Sequence, residues 1–352
     1  MTTSIGHREL DEAGRALLRR STRRRQDFED LVVVPVFAVI VALILGALIM
    51  LATGVDLPTI GRSFVALGVG SVGSLNAISE TLTAAIPLVL AGLGLGLGFR
   101  TGLFNIGAEG QLLLGGTAAV VFSFTFDGLP FLLLMPLSLL AGAVFGAAYA
   151  SIAGILKATT GAHEVISTIM LNLISFQLLN YLLRQPYIQK EGRSDPISKS
   201  VPDAAELPRL LDWIDPNLRL HAGLFVMLAA VVFVWWLLFR SKIGFAFRAS
   251  GANPDAAQYA GIRSGIVIVA AMASAGALAG LAGAAQVQGV LDRASPGFSA
   301  GIGFDAIALA LLGRSHPLGI LFAGILFGGL EAGGRQMQVL SLIHISEPTR
   351  RT

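Results

Sequence analysis

Apolar runs of membrane length alternate with short polar breaks along most of this chain. The runs cover residues 31–51, 77–98, 103–124, 130–156, 163–183, 221–239, 265–289, 301–313 and 317–339. Most approach or exceed the roughly 20 residues a helix needs to cross a bilayer. The 301–313 run is too short, and it predicts a broken or re-entrant helix. The pattern therefore predicts an all-α polytopic transmembrane helix bundle of about nine spans over 31–339. Residues 53–76 are rich in Gly and Ser and predict an external, partly interfacial connector.

Charge orients the bundle. Arg19, Arg20, Arg23, Arg24 and Arg25 precede the first run within a polar segment, 1–30. No cleavage site follows that run, so it predicts a retained helix with its N-terminus in the cytoplasm. Counting onward places Arg100, Lys157, the 240–264 loop and Arg314 on the same side, as the positive-inside rule asks. The 184–220 loop falls outside despite six basic residues, which it balances with six acidic ones. The reverse orientation would put both the Arg-rich N-terminus and the 240–264 loop outside.

Composition agrees with the pattern. Hydrophobic residues make up 54% of the 352 positions and charged ones 13%, about half the charge of an ordinary soluble domain. The 42 glycines suit close helix packing in lipid. The run Gly92-Leu-Gly94-Leu-Gly96-Leu-Gly98 and the pairs Gly142/Gly146, Gly276/Gly280 and Gly324/Gly328 are read as packing faces. Cysteine is absent, which excludes thiolate and disulfide chemistry. A net charge of +3, carried largely in loops, does not suggest nucleic acid as a partner. None of the four lysines follows a glycine, so no Walker A loop is present and any nucleotide hydrolysis would have to come from another protein.

Within 240–264 the sequence predicts a short helix. Asn253 is a good N-cap, Pro254 fits the first helical position, Asp255 matches the helix dipole, and Gly261 supplies a left-handed stop. Such a helix, about seven residues long, is too short to persist alone in water. Ala256, Ala257 and Ala260 leave its surface open to close approach. An ordinary capped connector and a docking element fit these residues equally well.

Two polar groups interrupt the apolar runs. In Phe104–Gln111, Asn105 can cap the helix, and Glu109 and Gln111 follow within the next turn. A carboxylate at this depth is a functional candidate, although pairing with Arg100 near the boundary would also account for it. Glu164, Thr168, Asn172 and Ser175 are spaced 4, 4 and 3 apart and share one helix face. That stripe must face the bundle interior or a water-filled path; hydrogen bonding between helices and passage of a substrate explain it equally. No His, Cys or carboxylate arrangement forms a catalytic or metal-binding constellation, and His163 beside Glu164 reads as interfacial.

Four blocks, in order, carry a resemblance: FNIGAEGQ at 104–111, EVISTIMLN at 164–172, residues 248–261 together with ALAGLAGA at 277–284, and GFDAIALALLGRSHPLG at 303–319. They resemble the simple-sugar and branched-chain amino acid type of ABC importer permease, and the first two resemble its nucleoside/simple-sugar branch. Asp255-Ala256-Ala257 with Gly261 looks like that family's EAA---G loop, with Asp in place of Glu. The resemblance covers about 77–339. It implies a transport subunit of a bacterial inner-membrane importer, with no cofactor bound by this chain and ATP and Mg on a partner ATPase. It implies a second permease subunit, either a paralogue or a copy, and an extracytoplasmic substrate-binding protein. On that basis Asn253, Pro254, Asp255, Ala256, Ala257 and Gly261 are expected to dock the ATPase. Asn105, Glu109, Gln111, Glu164, Thr168, Asn172 and Ser175 are expected along the translocation pathway. Nucleosides are the expected cargo and a ribose-type sugar the alternative. An ion-coupled secondary transporter is the rival class; it needs an ion site and no docking helix.

The chain changes character after Val339. Residues 340–350, LSLIHISEPTR, resemble a translated sequencing-library adaptor. Residues 340–352 are therefore expected to be non-native, with one further span, the tenth, continuing the family pattern. His344 and Glu347 are given no functional reading.

Overall fold

The computed structural model describes the backbone of residues 34–346 and the side chains of 37–339. The basic segment 1–30 lies outside the described residues, as do the side chains of the expected non-native tail. Twelve α-helices and no strand occur among the described residues. They are α1 (Val34–Ala52), α2 (Leu57–Val72), α3 (Leu75–Arg100), α4 (Ala108–Thr125), α5 (Phe131–Thr160) and α6 (Glu164–Leu182), followed by α7 (Gly223–Arg240), α8 (Lys242–Ala252), α9 (Pro254–Tyr259), α10 (Ser264–Gln286), α11 (Ile302–Leu312) and α12 (Pro317–Ser346). The chain divides into two compact units between Val65 and Ala66, and all packing described below lies within the second.

Among the described residues, six helices are long and apolar enough to cross a membrane: α3, α5, α6, α7, α10 with its extension to Leu291, and α12 up to Val339. This is a polytopic helical membrane protein. The α4 helix is not among the six, because Glu109 and Gln111 stand in its opening turns. Three departures from the sequence pattern are informative. Residues 57–72, expected to form a connector, are helical; Gly70 serves packing there, since a Cβ at Gly70 would meet Gln336 at 2.6 Å. Helix α4 begins at Ala108 rather than 103, which leaves 103–107 non-helical between two buried helices. The 240–264 loop contains α8 as well as the expected short helix, with Ser241 capping α8 through Gly244 N at 2.9 Å.

The α3 helix is the axis of the core, buried almost continuously from Ala85 to Gly98. Around it, glycines remove the side chains that would hold helices apart. A Cβ at Gly280 of α10 would sit 2.2 Å from the Gly142 carbonyl of α5, and one at Gly115 of α4 would sit 2.3 Å from Gly280 Cα. A Cβ at Gly146 would likewise meet the Gly276 carbonyl at 2.3 Å. Helices α4, α5 and α10 thus touch backbone to backbone, the geometry small residues allow in lipid.

The segment 184–222 lies over one end of the bundle as an irregular cap. Its hold on the core comes from a π-helical turn, Val287–Leu291, that ends α10. A π turn and the loop after it leave backbone groups without intrahelical partners, and the cap supplies them. Leu207 N donates to Gln288 O at 3.0 Å, Val201 N to Asp292 O at 2.7 Å and Ser198 N to Ala294 O at 3.0 Å. The cap is also pinned by Arg219, whose guanidinium grips Glu80 of α3 through two of its nitrogens, Nε donating to Oε1 at 2.7 Å and Nη2 to Oε2. His221 is buried, accepting from Gly223 N at 3.2 Å through Nδ1. Burial, with Arg219 nearby, lowers its pKa from 6.5 to about 4, so at neutral pH it is an uncharged packing group.

Candidate functional site

The polar groups inside the bundle converge on two interrupted backbones. The first is the 103–107 turn before α4, and the second is the 292–301 loop before α11. Irregular backbone at membrane depth persists only where protein or an aqueous path satisfies it, so each free N–H and C=O must find a partner. Helix α11 has 11 residues, which at the α-helical rise is about 16 Å, or half the hydrocarbon thickness. Its far end is held where Arg100 donates to the carbonyls of Ser315 at 3.1 Å and Arg314 at 3.2 Å. Its near end starts among buried residues, beside Glu109 of α4.

Glu109 sits at that start. The side chain is 2% exposed and each carboxylate oxygen accepts one hydrogen bond. Oε2 accepts from Gly303 N at 2.7 Å, in the first turn of α11, and Oε1 accepts from the Ser299 hydroxyl. The carboxylate thereby caps a helix whose N-terminal dipole and free amides favour negative charge. The pairing with Arg100 considered from the sequence does not occur: Arg100 is spent on the far end of α11. Gly303 is obligatory for this approach, because a Cβ there would lie 2.3 Å from Glu109 N.

The α6 stripe closes the other break. Glu164, Thr168, Asn172 and Ser175 are all buried and lie along one side of α6. Glu164 accepts from Phe104 N at 3.4 Å and from Lys157 Nζ at 2.6 Å. Thr168 accepts from Ile106 N at 3.2 Å. Asn172 takes both functions, accepting from Gly110 N at 2.9 Å and donating to Ile106 O at 2.8 Å. Ser175 turns back to the Asn172 carbonyl at 2.7 Å. Asn105 does not cap α4. It folds onto its own turn, accepting from Gly107 N at 2.9 Å and pairing with Gln111 at 3.0 Å. The α4 amide cap comes instead from Asn172, 62 residues away.

At the other group of expected site residues, Asn253 caps α9 by accepting from Ala256 N at 3.0 Å, with Pro254 opening the helix. Gly261 adopts φ +83°, the left-handed stop. Ala257 is buried while Asp255, Ala256, Ala260 and Gly261 are exposed. Tyr259 on this short helix is 95% exposed. Residues not expected at the site are Ser299, Gly303 and Lys157, each of which partners an expected site residue; Ser299 and Gly303 carry only small size as a signal, and Lys157 only a charge marking the expected cytoplasmic side.

The structure thus presents a helical membrane protein with a broken-helix core and a short exposed helix between long apolar helices. The family description matching residues 77–347 is the permease component of the branched-chain amino acid transport system, and the chain belongs to that family. It is similar to the guanosine ABC transporter permease protein NupP of Bacillus subtilis, 40% identical over 88% of this chain and 87% of that protein. It is 37% identical to the nucleoside ABC transporter permease protein NupB of Lactococcus lactis over 87% of this chain and 84% of the relative. A glucose ABC transporter permease protein, TsgB13 of Haloferax volcanii, is 36% identical over 87% of this chain and 80% of its own length. No solved structure matches the chain. This is the membrane-spanning permease subunit of an ABC transporter, not an enzyme, and the ion-coupled secondary transporter is set aside.

Proposed function

We propose that the chain is the permease of an ATP-driven importer of nucleosides in a bacterial inner membrane. The observation that carries the cargo is the 40% identity to a guanosine permease across nearly the whole chain. The 36% identity to a glucose permease keeps a simple sugar as the second reading. The family implies an ATPase and a substrate-binding protein as partners. In this reading ATP and Mg2+ sit on the ATPase, a second permease completes the pathway, and about nine spans run from a cytoplasmic N-terminus.

Helix α9 is the element that docks the ATPase, through the exposed Asn253, Pro254, Asp255, Ala256 and Gly261, while Ala257, expected in that surface, is buried against the permease itself. Its exposed face and fixed caps support this: the capped ends hold a helix that is otherwise too short to persist. The pathway passes Asn105, Glu109, Gln111 and the Glu164–Thr168–Asn172–Ser175 stripe. The broken backbones there are held by exchangeable hydrogen bonds, which water or a polar cargo can replace without unfolding a helix. Coupling requires that ATPase engagement favour one arrangement of these bonds over another. Radiolabelled guanosine uptake into proteoliposomes holding the assembled transporter tests the cargo. ATP-dependent uptake of guanosine is expected; uptake of ribose or glucose with no response to any nucleoside overturns it.

A further inference from the structure

An apolar groove of about 710 Å³ runs between α4, α5, α6 and the start of the cap. Ala118, Val121, Phe122, Phe145, Ile152 and Leu182 line it, and Phe145 and Ile152 are exposed, so it opens sideways from the bundle. Four lining residues carry polar side-chain atoms, and all four are already engaged. Thr117 donates to Leu113 O at 2.7 Å, Tyr149 to Leu171 O at 2.6 Å and Thr125 to Val121 O at 2.5 Å, while Thr125 and Tyr187 share a hydrogen bond at 2.7 Å. A polar cargo entering here would lose its hydration and find no replacement, a cost of about 2–7 kcal/mol per unpaired group. An alkyl chain loses nothing.

One end of the groove is chemically different. The Tyr187 ring packs edge-on against Phe124 at 5.6 Å. Lys199 Nζ stands over both rings, 5.4 Å from Tyr187 and 5.6 Å from Phe124. Its backbone is fixed, since Lys199 N donates to Ile188 O at 2.8 Å and Ile188 is itself a lining residue. No carboxylate among the described residues lies within ion-pairing distance of Lys199. A long apolar slot open to the side, ending in an aromatic pair beneath an unneutralised ammonium, has the charge order of a lipid: chain first, then interface, then phosphate.

We propose that this groove holds one acyl chain of an anionic phospholipid, with the lipid phosphate at Lys199. The site rests on the membrane embedding of the chain and is independent of which cargo is carried. Native mass spectrometry of the full chain, extracted in mild detergent and supplied with phosphatidylglycerol or phosphatidylcholine, reads the site directly. The wild type is expected to retain phosphatidylglycerol preferentially. Lys199→Gln, a change at the groove's mouth, should lower that retention about fivefold with phosphatidylcholine unaffected, the loss of one basic contact. Ala148→Phe, from an exposed position on the groove wall, should lower retention of both lipids. Equal retention of the two lipids by the wild type, or no change in either variant, overturns the proposal. So does loss of a companion protein subunit in Ala148→Phe with lipid retention intact, which would make the groove a subunit interface.

Discussion

Two seams hold the centre of this bundle, and they are built on opposite principles. In the glycine seam, α4, α5 and α10 meet through Gly115, Gly142, Gly146, Gly276 and Gly280 with backbone on backbone. In the polar seam, the 103–111 turn, α6 and the start of α11 meet through side chains that hydrogen-bond to backbone. The first contact is dispersive, tight and tolerant of one spacing only. The second consists of discrete bonds that can be exchanged one at a time. A transporter needs both, a rigid part to carry force and a part with more than one satisfied arrangement. In the proposed transport cycle the glycine seam serves as the former and the polar seam as the latter.

The largest effect should come from the rigid seam. Gly280→Leu pushes a side chain into the Gly142 carbonyl and Gly146 Cα, and it should cost about 3 kcal/mol by overpacking. Detergent-solubilised variant should aggregate or melt well below wild type. Gly265→Ala is the control, because its Cβ would meet only Ala158 Cβ at 3.6 Å, and its melting should be unchanged.

In the polar seam, Asn172→Leu leaves Gly110 N and Ile106 O without partners, a loss of about 2 kcal/mol at about 1 kcal/mol for each group. Thermal unfolding should show it as a smaller decrease than Gly280→Leu. Hydrogen exchange at the Ile106–Gln111 amides should rise locally; protection equal to wild type there would mean the stripe does not hold the turn.

Outside both seams effects should be smaller. Asn253→Ala removes the α9 cap, worth about 1 kcal/mol locally. It should loosen ATPase association in pull-down while leaving the melting of the isolated permease unchanged. His221 contributes through pH. Its folded pKa, about 4, lies below the ordinary 6.5, so between those values the unfolded chain binds the proton and the folded one does not. Stability should therefore fall as pH is lowered through that window. His221→Asn keeps an acceptor for Gly223 N, and its melting temperature should drop less between pH 7 and pH 5 than that of wild type.

Sequence periodicity disclosed one half of each contact and hid the other. The 4, 4, 3 spacing of Glu164, Thr168, Asn172 and Ser175 placed them on one face, because helical period is local information. Their partners are mostly backbone atoms of a turn, which carry no residue-type signal. Leu103 and Phe104 continue an apolar run, so the late start of α4 at Ala108 was invisible. Composition misled at 57–72, where Gly and Ser suggested a connector but the segment is helical, with Gly70 packed closely against Gln336. Glu109 stood out as a buried carboxylate, yet Ser299 and Gly303 lie some 190 residues away, beyond any local pattern. The capped α9 was legible throughout because Asn, Pro and Gly each determine backbone geometry at their own position.

Glu109 is the decisive residue, since its carboxylate hydrogen-bonds the start of α11 to α4. Glu109→Gln keeps size and removes the charge, so the transporter should still assemble. ATP-dependent uptake of radiolabelled guanosine per assembled complex, measured in proteoliposomes beside the wild type, is the direct test. At least a tenfold loss is expected, the equivalent of about 1.4 kcal/mol, with ATPase association retained. Uptake at the wild-type rate from an assembled Glu109→Gln complex would contradict it.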